Sequence, residues 1–220
     1  MQRDPGMLGQ TRSELRRISH EGGMRIIAGE LRGRKIQTPV SGVRPTTDRV
    51  RESIFARLGD CAGCQVLDLF AGSGALGLEA ISRGADRVVF VERSGRVVAA
   101  LADTLKRFAV ENRTEVLKLD ARGGLRRLSQ RGVRFDLIFL DPPYADHAAL
   151  PDLLSMLVAL KLLASSGVVV VESSSRNESS LELELLDGLS VDSVRRYGET
   201  TVAWLRPRMG HNESLGSDTE

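Results

Sequence analysis

From residue 65 onward, short, nearly unbroken apolar runs alternate with apolar positions spaced three and four apart. The runs at 66–69, 88–91, 116–119, 135–140 and 168–171 have the length and aliphatic content of strands buried on both faces. Leu76, Ala80 and Ile81, then Val97, Val98, Leu101, Leu105 and Phe108, keep helical spacing between the first three runs. Leu150, Leu153, Leu154, Leu157, Leu160 and Leu163 do the same before the fifth, in a helix expected to stop at Ser165-Ser166-Gly167. Run and stripe in alternation predict a doubly wound α/β domain with a mostly parallel sheet. Residues 191–197 and 200–205, joined across Gly198-Glu199, predict a terminal hairpin that closes the sheet edge, and Leu181, Leu183 and Leu185 alternate as a short strand would. Ahead of the sheet, residues 24–28 and 35–39 read as two short strands hinged at 30–33. Arg44-Pro45-Thr46-Thr47-Asp48 is a turn into a helix with apolar stripe Val50, Ile54, Phe55 and Leu58, leaving Arg49, Arg51, Glu52 and Arg57 on its other faces. Residues 1–23 and 207–220 are polar, without apolar period, and are expected to be disordered.

Charge adds a direction to this picture. The net charge of the 220 residues is only +2, yet residues 24–58 hold eight basic side chains against three acids, so a basic segment sits on a mildly acidic body. A polyanionic partner met by one end of the molecule fits that asymmetry, and a solvated charged face fits it too. No stretch has the length of a membrane span and the start lacks a signal-peptide core, so a cytoplasmic protein is expected. Cys61 and Cys64 form a lone C-x-x-C with no second pair, and the three histidines have no metal-ligand spacing; two free thiols and no metal are expected.

The candidate chemistry lies where runs end. Asp68-Leu69-Phe70-Ala71-Gly72-Ser73-Gly74 carries a strand into a helix through a glycine loop whose backbone a ligand can approach, with unpaired N–H groups of the helix start behind it. Gly72, Gly74 and Gly77, with Glu92 twenty residues past Gly72, also satisfy the dinucleotide fingerprint, so a nicotinamide-dependent oxidoreductase is one reading. Asp68 argues for another, because an anion beside the loop repels a pyrophosphate and favours a ligand with an ammonium or sulfonium charge, such as S-adenosylmethionine. Glu92 ends the second run where ribose hydroxyls are taken, and Asp120 follows the third, placed to accept from an adenine amine. The fourth run feeds Asp141-Pro142-Pro143-Tyr144. Its prolines donate no hydrogen bonds, so the turn offers acceptors, the Asp141 carboxylate and the Pro142 carbonyl, for the two hydrogens of an exocyclic amine, with Tyr144 to stack the base.

These residues together resemble one family, the bacterial methyltransferases that modify N2 of a guanine in 16S ribosomal RNA. The resemblance runs over about residues 24–205 and rests on Met24-Arg25-Ile26-Ile27-Ala28-Gly29, Arg32-Gly33-Arg34, Arg44-Pro45-Thr46-Thr47-Asp48-Arg49-Val50-Arg51-Glu52, the glycine loop through Ala80, Asp141-Pro142-Pro143-Tyr144 and Tyr197-Gly198-Glu199-Thr200. It implies a Rossmann-like class I methyltransferase fold, a mostly parallel seven-stranded sheet with a C-terminal antiparallel hairpin, preceded by a small N-terminal β-hairpin. It implies a methyl-donor site at Asp68, Phe70, Ala71, Gly72, Ser73, Gly74, Glu92, Arg93, Asp120 and Ala121, and catalysis at Asp141, Pro142, Pro143 and Tyr144. Substrate contacts are expected from Arg32, Arg34, Lys35, Arg44, Thr46, Thr47, Arg49 and Arg51. On this reading residues 24–58 touch RNA, residues 59–206 hold S-adenosylmethionine, the partner is 16S rRNA or an assembling small subunit, and the protein acts as a monomer. A 23-residue leader departs from the family pattern and suggests Met24 as the true start. The proline motif is shared with adenine-N6 and glutamine-amide methylases; the latter gain nothing from a basic hairpin, while adenine stays chemically open.

Overall fold

The computed structural model describes residues 24–37, 47–174 and 188–208. The expected strand over 181–185 and the residues before 24, from 38 to 46 and after 208 lie outside that range. Seven strands form one sheet in the order β3-β2-β1-β4-β5-β7-β6. They are β1 (Gln65–Asp68), β2 (Arg87–Val91), β3 (Thr114–Leu117), β4 (Phe135–Leu140), β5 (Leu163–Ser174), β6 (Leu189–Tyr197) and β7 (Thr200–Pro207). β1 to β5 run parallel, whereas β7 pairs antiparallel with both β5 and β6, as the terminal hairpin requires.

Period-two alternation divides the strand side chains between two cores. Val66, Val88, Phe90, Phe139, Val170 and Trp204 pack on one face with α1 (Asp48–Leu58), α2 (Ala75–Ser82) and α3 (Gly95–Phe108). Leu67, Val89, Val91, Ile138, Leu140 and Val171 pack on the other with α4 (Ala121–Ser129) and α5 (Leu150–Ala159). The result is a three-layer α/β/α sandwich. α5 stops earlier than its leucine spacing predicts: Leu163 already belongs to β5, and Ser165-Ser166-Gly167 lies within that strand, where the β4–β5 register shifts between Phe135 and Leu137. A register irregularity absorbs the polar triplet, so serine and glycine mark a bulge and not a helix end.

The N-terminal segment has no core of its own. Ile26, Leu31 and Ile36 join Val50, Ile54 and Phe55 in the same apolar cluster as Phe90 and Trp204, so the expected boundary at residue 58 does not divide the packing. Among the described residues its hairpin reduces to a single antiparallel bridge, Arg25 with Lys35, around a tight turn at residues 28–33. That turn docks on the end of α2. Ile27 and Ala28 donate backbone N–H groups to the buried Glu79 carboxylate at 2.8 and 3.0 Å, and Leu31 donates to Ser82 Oγ at 2.9 Å. A Cβ at Gly29, whose φ is 81°, would lie 1.7 Å from the Ser82 carbonyl oxygen, so only glycine permits this approach.

Candidate active site

The carboxyl ends of the central strands open onto a cavity of about 830 Å³. It lies where the strand order reverses between β1 and β4, the position at which doubly wound sheets bind ligands. Asp68, Glu92, Asp120, Asp141 and Glu172 all line it. Asp68 ends β1, Glu92 and Asp141 directly follow β2 and β4, Glu172 lies near the end of β5, and Asp120 comes from the loop after β3, so the acids surround the space without sharing a loop.

The glycine loop shows what the cavity can accept. Gly74 caps α2 with φ at 77°, and its N–H donates to the Ala71 carbonyl at 2.6 Å. Gly72 N–H donates to Glu92 Oε2 at 3.1 Å and Gly77 N–H to Asp68 Oδ2 at 3.1 Å. The N–H groups of all three glycines are therefore spent inside the protein, two of them on carboxylates, and of the three only Gly72 lines the cavity. A dinucleotide would meet negative charge where it needs donors. Gly77 serves packing, since a Cβ there would stand 2.3 Å from Phe90 Cε1.

Asp68 is buried at the end of β1, and burial pushes its carboxyl up to about 7 from an ordinary 3.8. The Gly77 N–H opposes that rise, while the nearby Asp141 and Glu92 carboxylates add to it. A cation placed beside Asp68 would restore its charge. Glu92 is fixed through both oxygens, Oε2 by Gly72 and Oε1 by the Ser94 N–H at 2.7 Å, which orients it for hydroxyl donors. Asp120 stands three residues past β3, not at its end, and caps α4 by accepting from Gly123 N–H at 2.7 Å through Oδ1. Phe70, Ala71, Ser73 and Ala121 also line the cavity, and Ser73 Oγ donates to Met24 Sδ at 3.4 Å. Arg93 lines it as well, but its guanidinium pairs with Asp146 at 3.3 Å, tying the β2–α3 loop to the segment after the proline turn.

In that turn Asp141, Pro142 and Pro143 all line the cavity, Pro143 as its exposed member. The backbone of Tyr144 opens a 3₁₀ helix, Tyr144–Ala149; its ring lies outside the described side chains. His147, in the same helix, is buried at the cavity wall and hydrogen-bonds to the Pro142 carbonyl. Burial holds its imidazole below the ordinary range, against that hydrogen bond and the Asp146 charge, so it is a neutral donor at neutral pH.

The expected substrate residues separate. Thr47 caps α1, accepting from Val50 N–H at 3.4 Å, and lines the cavity; Arg49 is exposed in the first turn. Arg44 and Thr46 lie outside the described residues. Arg51 is not available to a substrate: it is fully buried, its Nη2 donating to the Arg25 carbonyl at 2.8 Å and to Asp48 Oδ1 at 2.6 Å. The turn bearing Arg32 and Arg34 does not reach the cavity either, because it docks at Ser82, the far end of α2 from Gly74. At 1.5 Å per residue the eight residues of α2 set these ends about 12 Å apart. Arg34 there donates to the Phe108 carbonyl at 3.0 Å. Lys35, opposite Arg25, is exposed on the strand returning toward the cavity. Glu79, Ser82 and His147 were not singled out by sequence reasoning; for the first two the available signal was a carboxylate and a hydroxyl on the apolar side of α2. Burial, and after it the neighbouring Cys64, raise the Cys61 thiol to about 11 against the Arg83 charge, while burial and the nearby Asp136 raise that of Cys64, so neither is a nucleophile at neutral pH.

Residues 24–206 match the family described as "Conserved hypothetical protein 95". An Escherichia coli K12 protein, ribosomal RNA small subunit methyltransferase D, is 39% identical over 161 residues, 72% of this chain and 79% of that protein. A Bacillus subtilis relative is 36% identical over 188 residues, 84% of this chain and 100% of its own length. Among solved structures, the E. coli protein yhhF superposes with a TM-score of 0.73 at 32% identity, covering 84% of this chain and 98% of that one.

Proposed function

The chain belongs to the family described as conserved hypothetical protein 95, and from that membership and the acidic rim we propose that it transfers a methyl group from S-adenosylmethionine to the exocyclic N2 amine of a guanine in 16S rRNA. The observation that carries this reading is the meeting, in one cavity, of a buried carboxylate poised for a cation and a turn that brings the Asp141 carboxylate beside two prolines without N–H donors.

The residues present fit that donor. Asp68 accepts from its ammonium, regaining the charge that burial suppresses; Glu92, held rigid by Gly72 and Ser94, accepts from ribose hydroxyls; Asp120 offers its carboxylate to the adenine amine. When bound, the donor supplies an electrophilic methyl on a sulfonium. On the substrate side, Asp141 and the Pro142 carbonyl take the two amine hydrogens, which turns the nitrogen lone pair toward the methyl group. His147 fixes the Pro142 carbonyl through one lone pair and leaves the other for the amine. No dedicated base is required before transfer: the nitrogen becomes positively charged on methylation, and its proton would then pass to the Asp141 carboxylate and on to water.

The test is methylation of unmodified 16S rRNA with labelled donor, followed by nucleoside mass spectrometry. N2-methylguanosine is the expected product. N6-methyladenosine would replace the guanine assignment, since an adenine amine presents the same two hydrogens, and absence of any methylated nucleoside would remove RNA as the substrate.

A further inference from the structure

At the amino ends of the strands, opposite the cavity, Arg34 and Arg107 converge on one ring. The Arg34 guanidinium carbon lies 5.0 Å from the Phe108 centroid and that of Arg107 lies 5.7 Å from it. Arg34 is also tied to the Phe108 carbonyl, and Arg107 Nη2 donates to Thr104 Oγ1 at 3.2 Å, so both guanidinium planes are oriented. Lys106 and Arg32 are exposed beside them. Of the acids at this end, Glu30 is held by Arg113 at 2.6 Å, and among the described residues Asp103 and Glu111 make no ion pair with any of the four cations.

Complementing the C-terminal dipole of α3 accounts for Lys106 and Arg107. It does not account for Arg34, which the docked turn carries from 74 residues away onto the same ring against the repulsion of like charges. Two stacked, oriented guanidiniums with free edges and no carboxylate between them suit the oxygens of successive phosphates. We infer that Arg34, Lys106 and Arg107, with Arg32, form a second RNA contact that grips the phosphodiester backbone at a point remote from the methylated base. This inference rests on the rRNA reading above. The patch lies beyond the far end of α2 from the cavity, so an RNA that fills only the cavity cannot touch it.

That geometry makes the contact depend on RNA length. Lys106→Gln/Arg107→Gln is compared with wild type by fluorescence anisotropy over a salt series, on a full 16S rRNA transcript and on a short hairpin cut around the methylated guanine. Expected with the transcript is a five- to tenfold weaker Kd at about 0.1 M salt and a log–log salt slope smaller by about two. With the hairpin, the variant and wild type bind alike. Arg34→Gln, which also loosens the turn, is expected to act in the same direction, with an unchanged melting temperature for the Lys106/Arg107 variant excluding misfolding. An unchanged slope on the transcript, or equal losses on both RNAs, overturns the remote contact while leaving the rRNA reading intact. Failure of wild type to bind either RNA overturns both.

Discussion

Asp68 joins two properties that oppose each other. Its carboxyl is protonated up to about 7 in the folded protein and only up to about 4 in the unfolded chain. Folding therefore retains a proton between those values, stability falls as pH rises through that window, and the loss is complete above 7. Asp68→Asn keeps an acceptor for Gly77 N–H without the charge. Its melting temperature at pH 8 is expected to exceed that of wild type by a few degrees, a gap that closes toward pH 4. The same variant should bind S-adenosylmethionine at least tenfold more weakly in calorimetry, because the ammonium loses its counter-charge. A variant that is stabilised and still binds the donor normally would detach Asp68 from the cofactor. His147 makes a finer case. His147→Phe removes the hydrogen bond to Pro142 and should lower kcat about tenfold with donor and RNA affinities unchanged, while His147→Gln, whose amide reaches a similar position, should recover most of the rate. Simple destabilisation would not be rescued by glutamine.

Elements explain where the sequence was and was not readable. Apolar runs and helices with one long apolar stripe announce themselves, so the sheet and the helices α1, α2, α3 and α5 were legible from spacing, whereas α4, whose short stripe is Leu125 and Leu128, was not, and Asp120 caps that helix instead of ending its strand. Spacing could not show which polar residues are satisfied across the fold. Arg51 lies on the charged side of α1 by sequence, yet a carbonyl of the N-terminal segment and Asp48 take up its guanidinium inside the core. Arg34 reads as a turn-tip cation, but the turn lies down on α2 and delivers it to Phe108. Both placements have one origin, the docking of residues 24–37, which Glu79 organises by accepting two backbone N–H groups and pairing with Arg83 at 2.8 Å. Glu79→Ala leaves those buried donors unpaired and should cost about 2–4 kcal/mol in denaturant unfolding. Limited proteolysis should then cut within residues 24–37, a site protected in wild type. Resistance equal to wild type would mean that the apolar side chains Ile26, Leu31 and Ile36 suffice to hold the segment.

Across the whole molecule the charges divide between two tasks. The carboxylates that would meet the donor are recessed in a cavity at the carboxyl edge of the sheet, where Asp68 is fully buried. The excess of cations lies in residues 24–58 and on the opposite edge, where Arg32, Lys106 and Arg107 are exposed. Salt screens exposed charges far more than buried ones, so the two binding events should separate when ionic strength is raised. Between about 0.05 and 0.2 M salt, S-adenosylmethionine affinity measured by calorimetry should change less than twofold, while affinity for 16S rRNA should fall at least tenfold on a straight log–log line. Methylation at subsaturating RNA should follow the RNA curve, and at saturating RNA it should be nearly independent of salt. If donor affinity fell as steeply as RNA affinity, the ammonium would be meeting its counter-charge in water, and the buried Asp68 could not be its partner.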